Sequence, residues 1–276
     1  MKEDILKVVK NALEEDVKSG DITTNSIVTE NKLSKAKIIT KEKGIIAGLE
    51  IAKYVFLQLD NNFEFINKVN DGAKVKKGQI VAELKGKTRA ILTGERTALN
   101  FLQRLSGIAT ITNKLADRAK PAKILDTRKT VPGLRLLDKY AVKIGGGINH
   151  RFGLYDMVLI KNNHIDFIGS ITKAVELARK SKKKIEIECR DIKEVIEAVN
   201  SKPDMIMLDN MNNEEMKKAV NYIKKINPKI KIEASGNINF RRIKSVASTG
   251  VDFISAGFIT HSVKALDISL RANENH

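Results

Sequence analysis

The second half of the chain repeats one pattern of apolar and polar positions. From about residue 123, runs of roughly five apolar residues alternate with amphipathic segments of about ten to thirteen residues. The apolar runs are "KILDT", "MVLIK", "KIEIE", "MIMLD", "KIEAS" and "DFISAG". Because short buried strands that alternate with amphipathic helices build parallel sheets, this pattern predicts an α/β fold for the second half.

The first half of the chain has a different pattern. An amphipathic segment at residues 1–17 precedes short β-like runs that are separated by Gly, Asn and Asp turns. A longer amphipathic helix is predicted over residues 94–120. We therefore predict an α+β domain at residues 1–106 and an α/β barrel domain at residues 107–276, whose last helix packs back on the first domain.

Each predicted strand of the second half ends in a residue that is polar, charged or without a side chain. These residues are Arg128, Lys161, Glu188, Asp209, Ser235 and Gly257. In a βα barrel the carboxyl ends of the strands converge, and barrel enzymes carry their site on that face. We therefore predict a cavity for an anionic organic ligand, a cation and a phosphate. Glu186 is assigned to the opposite face of its strand and to no role.

Basic residues outnumber acidic ones, with 50 Lys and Arg against 33 Asp and Glu and a formal net charge of +17. A basic surface attracts polyanions, so nucleic acid is one candidate partner. Against it, the chain has no zinc-finger spacing, basic zipper or RNA-binding aromatic signature. Of the 12 arginines, 7 fall between residues 89 and 151, and arginine binds a carboxylate or phosphate through two parallel bonds. The cluster favours a small anionic substrate, and we predict no nucleic-acid partner.

Cysteine content and hydropathy indicate a cytoplasmic protein. The single cysteine, Cys189, excludes an intramolecular disulfide and a multi-cysteine metal site. The N-terminal segment has acidic residues throughout, unlike a signal peptide, and no apolar run approaches 18 residues. We therefore predict a cytoplasmic location and no membrane partner.

Several long motifs occur in a fixed order along the chain: "GERTALNFLQRLSGIAT", "LDTRKTVPGLRLLDKYAVKIGGGINHRFGLYDMVLIKNNH", "IEIE", "MIMLDN", "IEASGNI" and "GVDFISAGFITHS". Together they resemble the quinolinate phosphoribosyltransferase family, a family also called nicotinate-nucleotide pyrophosphorylase (carboxylating). The resemblance implies a pentosyltransferase of NAD biosynthesis that uses quinolinate, phosphoribosyl pyrophosphate and Mg²⁺ and releases pyrophosphate and carbon dioxide. It also implies an open-faced α/β sandwich packed on an incomplete parallel α/β barrel, in a homodimer or higher even oligomer with shared active sites.

The resemblance also implies the residues that recognise quinolinate. At the dicarboxylate it places Arg128, His150, Arg151 and Lys161, with Arg96 contributed by the neighbouring subunit and Lys129 on the pyrophosphate or carboxylate side. The chemistry agrees, because two adjacent carboxylates can leave water only if bidentate cations replace the lost hydrogen bonds. Arg128 or Arg151 taken alone is equally well explained as a surface ion pair, so the prediction depends on the whole set.

Two carboxylates and three loop residues complete the implied site. Glu188 and Asp209 are assigned to Mg²⁺, through water, and to the positive charge that develops at the anomeric carbon. Lys129 and Lys161 are counted with them as catalytic, and Ser235, Gly236 and Gly257 as the cradle of the 5′-phosphate. Asn237 and Asn162 depart from residues that are common in the family. The roles of Arg135, Asn149 and His164 stay open.

Other functions fit parts of the sequence. Lys161 would serve as a Schiff-base amine in an aldolase-like reaction on the same barrel. A molybdenum-associated homologue shares the fold, although the intact arginine and histidine set argues against it. Residues 70–86 are similar to the hairpin of a biotinyl or lipoyl carrier domain, but they have no convincing carrier-lysine turn. Salt-sensitive binding to DNA or RNA is the remaining alternative.

Overall fold

The computed structural model describes residues 2–272 and contains eleven α-helices and one 3₁₀ turn, Arg179–Ser181, in that part of the chain. The helices are α1 (Lys2–Val17), α2 (Ile22–Ile27), α3 (Leu49–Leu59), α4 (Thr88–Ala119), α5 (Arg135–Ile144), α6 (Asn162–Ile168), α7 (Ile171–Ala178), α8 (Ile192–Asn200), α9 (Asn213–Ile226), α10 (Ile243–Ala247) and α11 (Phe258–His261).

The same residues contain twelve β-strands. They are β1 (Leu33–Thr40), β2 (Gly44–Ile45), β3 (Glu64–Asn67), β4 (Lys74–Val75), β5 (Ile80–Lys87), β6 (Lys123–Leu125), β7 (Val158–Ile160), β8 (Ile185–Cys189), β9 (Met205–Asp209), β10 (Lys231–Ser235), β11 (Phe253–Ser255) and β12 (Ile268–Ala272). Each of the six strands predicted in the second half is present, with its bounds shifted by two residues at most.

Contacts within the chain separate two compact units. The first comprises residues 1–113, 131–145 and 260–276, and the second comprises residues 114–130 and 146–259. Because the chain passes between the units more than once, this grouping follows no single cut. The predicted division between residues 106 and 107 therefore stays a prediction.

The first unit is an α+β structure around a four-stranded sheet of order β12-β1-β5-β3. The pairings of β1 with β5 and β12, and of β5 with β3, are all antiparallel. Its core includes Ile38, Phe56 and Leu102, which are buried. The last described element, β12, pairs with β1, so Ile268 to Ala272 complete this sheet as a strand, and the packing of a last helix on the first domain stays a prediction.

The second unit contains a six-stranded sheet of order β6-β11-β10-β9-β8-β7, and all of its pairings are parallel. A parallel bridge between Leu125 and Ile148 adds one more chain segment beside β6. Among the described strands β7 pairs only with β8, so within residues 2–272 the sheet is open at that edge. The α+β first part and the parallel α/β second part agree with the predicted fold class.

Side-chain caps begin the helices that follow two strands of the second unit, β8 and β9. Asp191 begins α8 by accepting hydrogen bonds from the backbone of Lys193 and Glu194. Asn212 begins α9 in the same way and forms a reciprocal capping box with Glu215. Such caps satisfy the free N–H groups of the first turn, so each helix begins within a few residues of the strand end.

Between residues 2 and 272, every helix is either too short or too polar to cross a lipid bilayer.

Candidate active site

A cavity of about 200 Å³ opens at the carboxyl ends of the parallel strands of the second unit. It is lined by Asp126, Thr127, Arg128, Lys129, His150, Arg151, Leu159, Lys161, Glu188, Met207, Asp209, Glu233, Ser235 and Ser255. Every strand of the six-stranded sheet, or the residues directly after it, contributes to this lining. The expected convergence of strand ends is therefore present in the structure.

Two arginines form the basic side of the cavity. Arg151 is only 9% exposed, and its Nη1 donates to the carbonyl oxygen of Met157 at 3.1 Å. Burial and the nearby charge of Arg128 both lower the pKa of the Arg151 guanidinium. Arg128 is half-buried, and its buried Nε donates no hydrogen bond to any described residue. Two neighbouring guanidiniums with a free donor make this side suitable for an anion.

His150 is held through its backbone and both ring nitrogens. Its backbone N–H donates to Oδ1 of Asp126 at 2.9 Å. Nε2 lies 2.8 Å from Oε2 of Glu186 and 3.4 Å from Oε2 of Glu233. Nδ1 accepts from the backbone N–H of Arg151 at 2.8 Å. The ring is therefore fixed in orientation between two carboxylates and the backbone of a cavity arginine.

The protonation of His150 is subject to opposing influences. Burial lowers the pKa of the imidazole, but the hydrogen bond with Glu186 and the charges of Glu186 and Glu233 outweigh this effect and raise the pKa above its usual value. However, the backbone N–H of Arg151 already occupies Nδ1. In this geometry the ring carries its proton at Nε2, and a second proton binds only if the ring or the Arg151 peptide moves.

Glu188 and Asp209 form an acidic side at the ends of the neighbouring strands β8 and β9. Both are half-buried. Burial and the charge of Asp209 raise the pKa of Glu188, while a backbone hydrogen bond from Asn162 and the charge of Lys161 act in the opposite direction. Two carboxylates that repel each other are well suited to bind a hard cation, because the cation takes oxygen ligands and neutralises their charge.

Lys161 is positioned by the first turn of α6. Its backbone N–H donates to Nδ1 of His164 at 2.9 Å, and the backbone N–H of His164 donates to the Lys161 carbonyl at 2.8 Å. These two bonds fix the backbone from which the lysine side chain reaches the cavity. His164, whose role the sequence left open, thus contacts the backbone of Lys161.

The loop after β10 has the backbone geometry of a tight turn. Gly236 has a φ of +84° and Asn237 a φ of +51°, both in the left-handed region. A Cβ on Gly236 would collide with the side chain of Asn210, so this position requires glycine. The Asn237 side chain donates to Oδ1 of Asn210 at 3.1 Å, which shows how an asparagine is accommodated here.

The structure brings eight of the eleven predicted substrate-binding residues to this cavity: Arg128, Lys129, His150, Arg151, Lys161, Glu188, Asp209 and Ser235. Gly236 and Gly257 lie in loops next to it in sequence but not in its lining. Arg96 belongs to the first unit, where it is exposed on α4. The structure locates these residues, and their individual roles stay predictions.

Sequence reasoning missed two buried carboxylates at this site. Glu186 and Glu233 are both 0% exposed. The assignment of Glu186 to the opposite strand face was wrong, because residues two apart in a strand share a face and Glu186 therefore lies on the side of Glu188. The same rule places Glu233 with Ser235. A charged residue within an apolar strand, two positions before a predicted site residue, was the available signal.

Two groups of residues have ligands that suit a metal ion. Among the described residues, His150, Glu186 and Glu233 have ligand atoms within 4.8 Å of one another. Because Nδ1 of His150 accepts from the backbone N–H of Arg151, Nε2 carries the ring proton in this geometry and donates to Glu186, which leaves no lone pair of the ring for a metal ion. Glu188 and Asp209 are more accessible and are the better candidates for Mg²⁺.

A wider, more open depression of about 580 Å³ lies beside the start of α9. Its one arginine, Arg242, donates to the backbone carbonyl oxygens of Asn237 and Met211. Because this cation supports the loop after β10, we assign the chemistry to the smaller cavity, where several charged side chains converge.

Two protein-family descriptions match the chain. "Quinolinate phosphoribosyl transferase, N-terminal domain" matches residues 21–106, and "Quinolinate phosphoribosyl transferase, C-terminal domain" matches residues 108–271. Together these matches cover most of the 276 residues.

Individual relatives are similar over nearly their whole length. A "Probable nicotinate-nucleotide pyrophosphorylase [carboxylating]" of Bacillus subtilis is 45% identical over 272 positions, covering 96% of this chain and 92% of that protein. "Quinolinate phosphoribosyltransferase [decarboxylating] 1b" of Nicotiana tabacum is 43% identical, covering 97% and 82%. The solved structure of the nicotinate-nucleotide pyrophosphorylase from Francisella tularensis aligns with a TM-score of 0.94 at 44% identity, covering 99% and 97%.

Proposed function

The chain belongs to the quinolinate phosphoribosyltransferase family, and from this premise we propose how its residues divide the work of the reaction. It transfers the phosphoribosyl group of phosphoribosyl pyrophosphate to quinolinate with decarboxylation, giving nicotinate mononucleotide, pyrophosphate and carbon dioxide in NAD biosynthesis. The aldolase, molybdenum-associated and carrier-domain alternatives do not agree with this membership. The observation that carries the proposal is one cavity with arginines on one side and paired carboxylates on the other.

We assign the arginine side to the two carboxylates of quinolinate. Arg128 has a free buried Nε donor, and Arg151 is nearly buried, with its pKa lowered by burial and by the charge of Arg128. The electrostatic repulsion between the two guanidiniums decreases when a dianion binds to both of them. His150 and Lys161 complete the recognition, and Lys129 acts toward pyrophosphate or carboxylate.

Arg128→Lys tests this assignment. Because an ammonium cannot reproduce a planar two-bond contact, kcat/KM for quinolinate should fall about 10- to 100-fold. Steady-state kinetics with saturating phosphoribosyl pyrophosphate would measure it. Arg190→Lys is the control, since Arg190 forms an exposed ion pair with Glu194. This variant should keep a near-normal kcat/KM for quinolinate. Near-normal quinolinate kinetics in Arg128→Lys would show that Arg128 does not bind the substrate.

We assign Glu188 and Asp209 to Mg²⁺, held through water, and to the developing charge on the ribose. The fit to a magnesium ion comes from two half-buried carboxylates with a repulsion that raises the pKa of Glu188. When bound, Mg²⁺ supplies neutralisation of the charge on the pyrophosphate group. The carboxylates themselves stabilise the positive charge that appears at the anomeric carbon as the bond to pyrophosphate breaks.

Once the pyridine nitrogen carries the ribose it is cationic, and it stabilises the electron pair left at C2 when carbon dioxide leaves. That carbon then takes a proton. The substrate therefore provides most of the chemistry of decarboxylation. The protein contributes recognition, orientation and a fixed electrostatic environment.

We assign the loops containing Ser235, Gly236 and Gly257 to the 5′-phosphate of the ribose. These loops follow β10 and β11, the position at which barrel proteins bind phosphate. The positive φ of Gly236 turns the backbone sharply beside the cavity, which allows amide groups to approach an anion closely.

Gly236→Ala should raise the KM for phosphoribosyl pyrophosphate, roughly tenfold, because the new Cβ displaces Asn210 and the loop with it. The KM is measured at saturating quinolinate. Gly72→Ala is the matched control, since Gly72 also has a positive φ, of +91°, but has open space around its Cβ position. Equal KM values in the two variants would argue against a phosphate cradle at this loop.

The remaining proposals concern assembly and location. We propose a homodimer or higher even oligomer in which Arg96, exposed on α4, enters the site of the partner subunit. We also propose a cytoplasmic location and no nucleic-acid or membrane partner. The direct test of the function is release of carbon dioxide from carboxyl-labelled quinolinate in the presence of phosphoribosyl pyrophosphate and Mg²⁺.

A further inference from the structure

Glu186 and Glu233 form a buried carboxylate pair beneath the cavity. Both are 0% exposed, and Glu233 lines the cavity directly. Oε1 of Glu186 and both oxygens of Glu233 accept no hydrogen bond from the described residues. The shared neighbour is Nε2 of His150, at 2.8 Å from Glu186 and 3.4 Å from Glu233.

This arrangement is unfavourable for folding. A buried carboxylate oxygen without a donor loses its hydration and gains nothing in return. Two carboxylates that face one nitrogen also repel each other. Groups held at such a cost to stability are typical of functional sites.

The pair acts on the cavity through His150. Glu186 and Glu233 occupy the Nε2 edge of the ring, and its Nδ1 holds the backbone N–H of Arg151. Any rotation of the imidazole therefore disturbs the peptide from which the Arg151 guanidinium enters the cavity. A connected path of contacts joins Glu233 to a residue assigned to the substrate carboxylates.

We propose that Glu233 is a positioning residue for dicarboxylate recognition: together with Glu186 it fixes the His150 ring, and through that ring the backbone of Arg151, at the expense of protein stability. The inference rests on the proposed roles of His150 and Arg151. It predicts an unusual combination of effects: removing the charge of Glu233 should raise the stability of the protein and weaken substrate binding in the same variant.

Glu233→Gln is the decisive variant, because it keeps the shape of the side chain and removes its charge. We expect the Tm of the full-length protein to rise by about 2–4 °C. We expect the KM for quinolinate to rise roughly tenfold while kcat changes less, the pattern of a lost ground-state contact. A lower Tm in Glu233→Gln than in the wild type would overturn the proposal. An unchanged KM for quinolinate would also overturn it, whatever the Tm.

Asp138→Asn is the matched control for stability. Asp138 is also 0% exposed, but its carboxylate is fully paired, accepting from Nε and Nη2 of Arg104 at 3.0 and 2.9 Å. Breaking a satisfied buried pair destabilises a protein, so the Tm should fall in this variant. Opposite signs for the two variants distinguish a strained functional carboxylate from a structural one.

The imidazole of His150 provides a readout that does not depend on turnover. In ¹⁵N-histidine-labelled protein without ligand, the Nε2–H signal of His150 should exchange slowly with solvent in the wild type and faster in Glu233→Gln. Identical exchange in both proteins would overturn the proposal. So would a Tm increase on adding Mn²⁺ that occurs in the wild type and disappears in Glu233→Gln, since it would make the pair a metal site. Failure of the wild type to decarboxylate quinolinate would instead remove the proposed function.

Discussion

Nicotinate is expected to be used roughly 10²- to 5 × 10³-fold less efficiently than quinolinate, measured as kcat/KM. Nicotinate lacks the 2-carboxylate, so part of the cation set around the cavity stays unpaired when it binds. Arg151 is nearly buried, and burial together with the charge of Arg128 already lowers its pKa. Leaving one of two such charges without a partner costs about 3–5 kcal/mol in buried sites, which is the origin of the expected ratio.

The comparison needs both acceptors with phosphoribosyl pyrophosphate and Mg²⁺, with pyrophosphate release as the common signal. Carbon dioxide release then reports quinolinate alone. A low KM for nicotinate with no turnover would still show that the cavity tolerates one carboxylate. Efficient turnover of nicotinate would contradict the assignment of the arginine side to a dicarboxylate.

Much of the fold was predictable because its signals are local. Each strand from β6 to β11 is an apolar run of the right length, and the polar residue at its end marks the site rim. Lys161, Glu188 and Asp209 were therefore placed correctly at the cavity from strand ends alone. The bridge that brings Ile148 beside Leu125 left no periodic signal, and only the family resemblance indicated that His150 belongs to the site.

What the sequence did not predict depends on contacts between distant residues. The environment of His150 comes from Glu186 on β8 and Glu233 on β10, and no local pattern relates these three positions. Similarly, β12 forms a strand because the edge of β1 is available to it. Tertiary pairing decided both cases.

The proposed roles put a requirement on the cavity. If the arginines bind substrate carboxylates while Glu188 and Asp209 face Mg²⁺ and the ribose, the two charge sets must not pair with each other before substrates bind. Arg128 follows β6 and Glu188 ends β8, on strands that are not neighbours in the sheet. This placement agrees with the requirement.

Mixing two inactive variants should restore activity if Arg96 acts across a subunit interface. Arg96 is exposed on α4, while Ala98, Leu99 and Leu102 of the same helix are buried, so its side chain is available to another subunit. We expect Arg96→Ala and Glu188→Ala each to be nearly inactive. In a hybrid dimer one site would then contain both intact residues, and the other would lack both.

Random reassociation of equal amounts should therefore restore about a quarter of the wild-type sites, because half of the dimers are hybrids and each has one intact site. Co-refolding or co-expression with two affinity tags would show that hybrids have formed, and specific activity gives the fraction restored. Lys114→Ala, an exposed cation on the same helix, is the control for nonspecific effects and should keep near-normal activity alone. If verified hybrids recover no activity, Arg96 serves its own subunit or none, because in that arrangement every site of the hybrid retains one lesion.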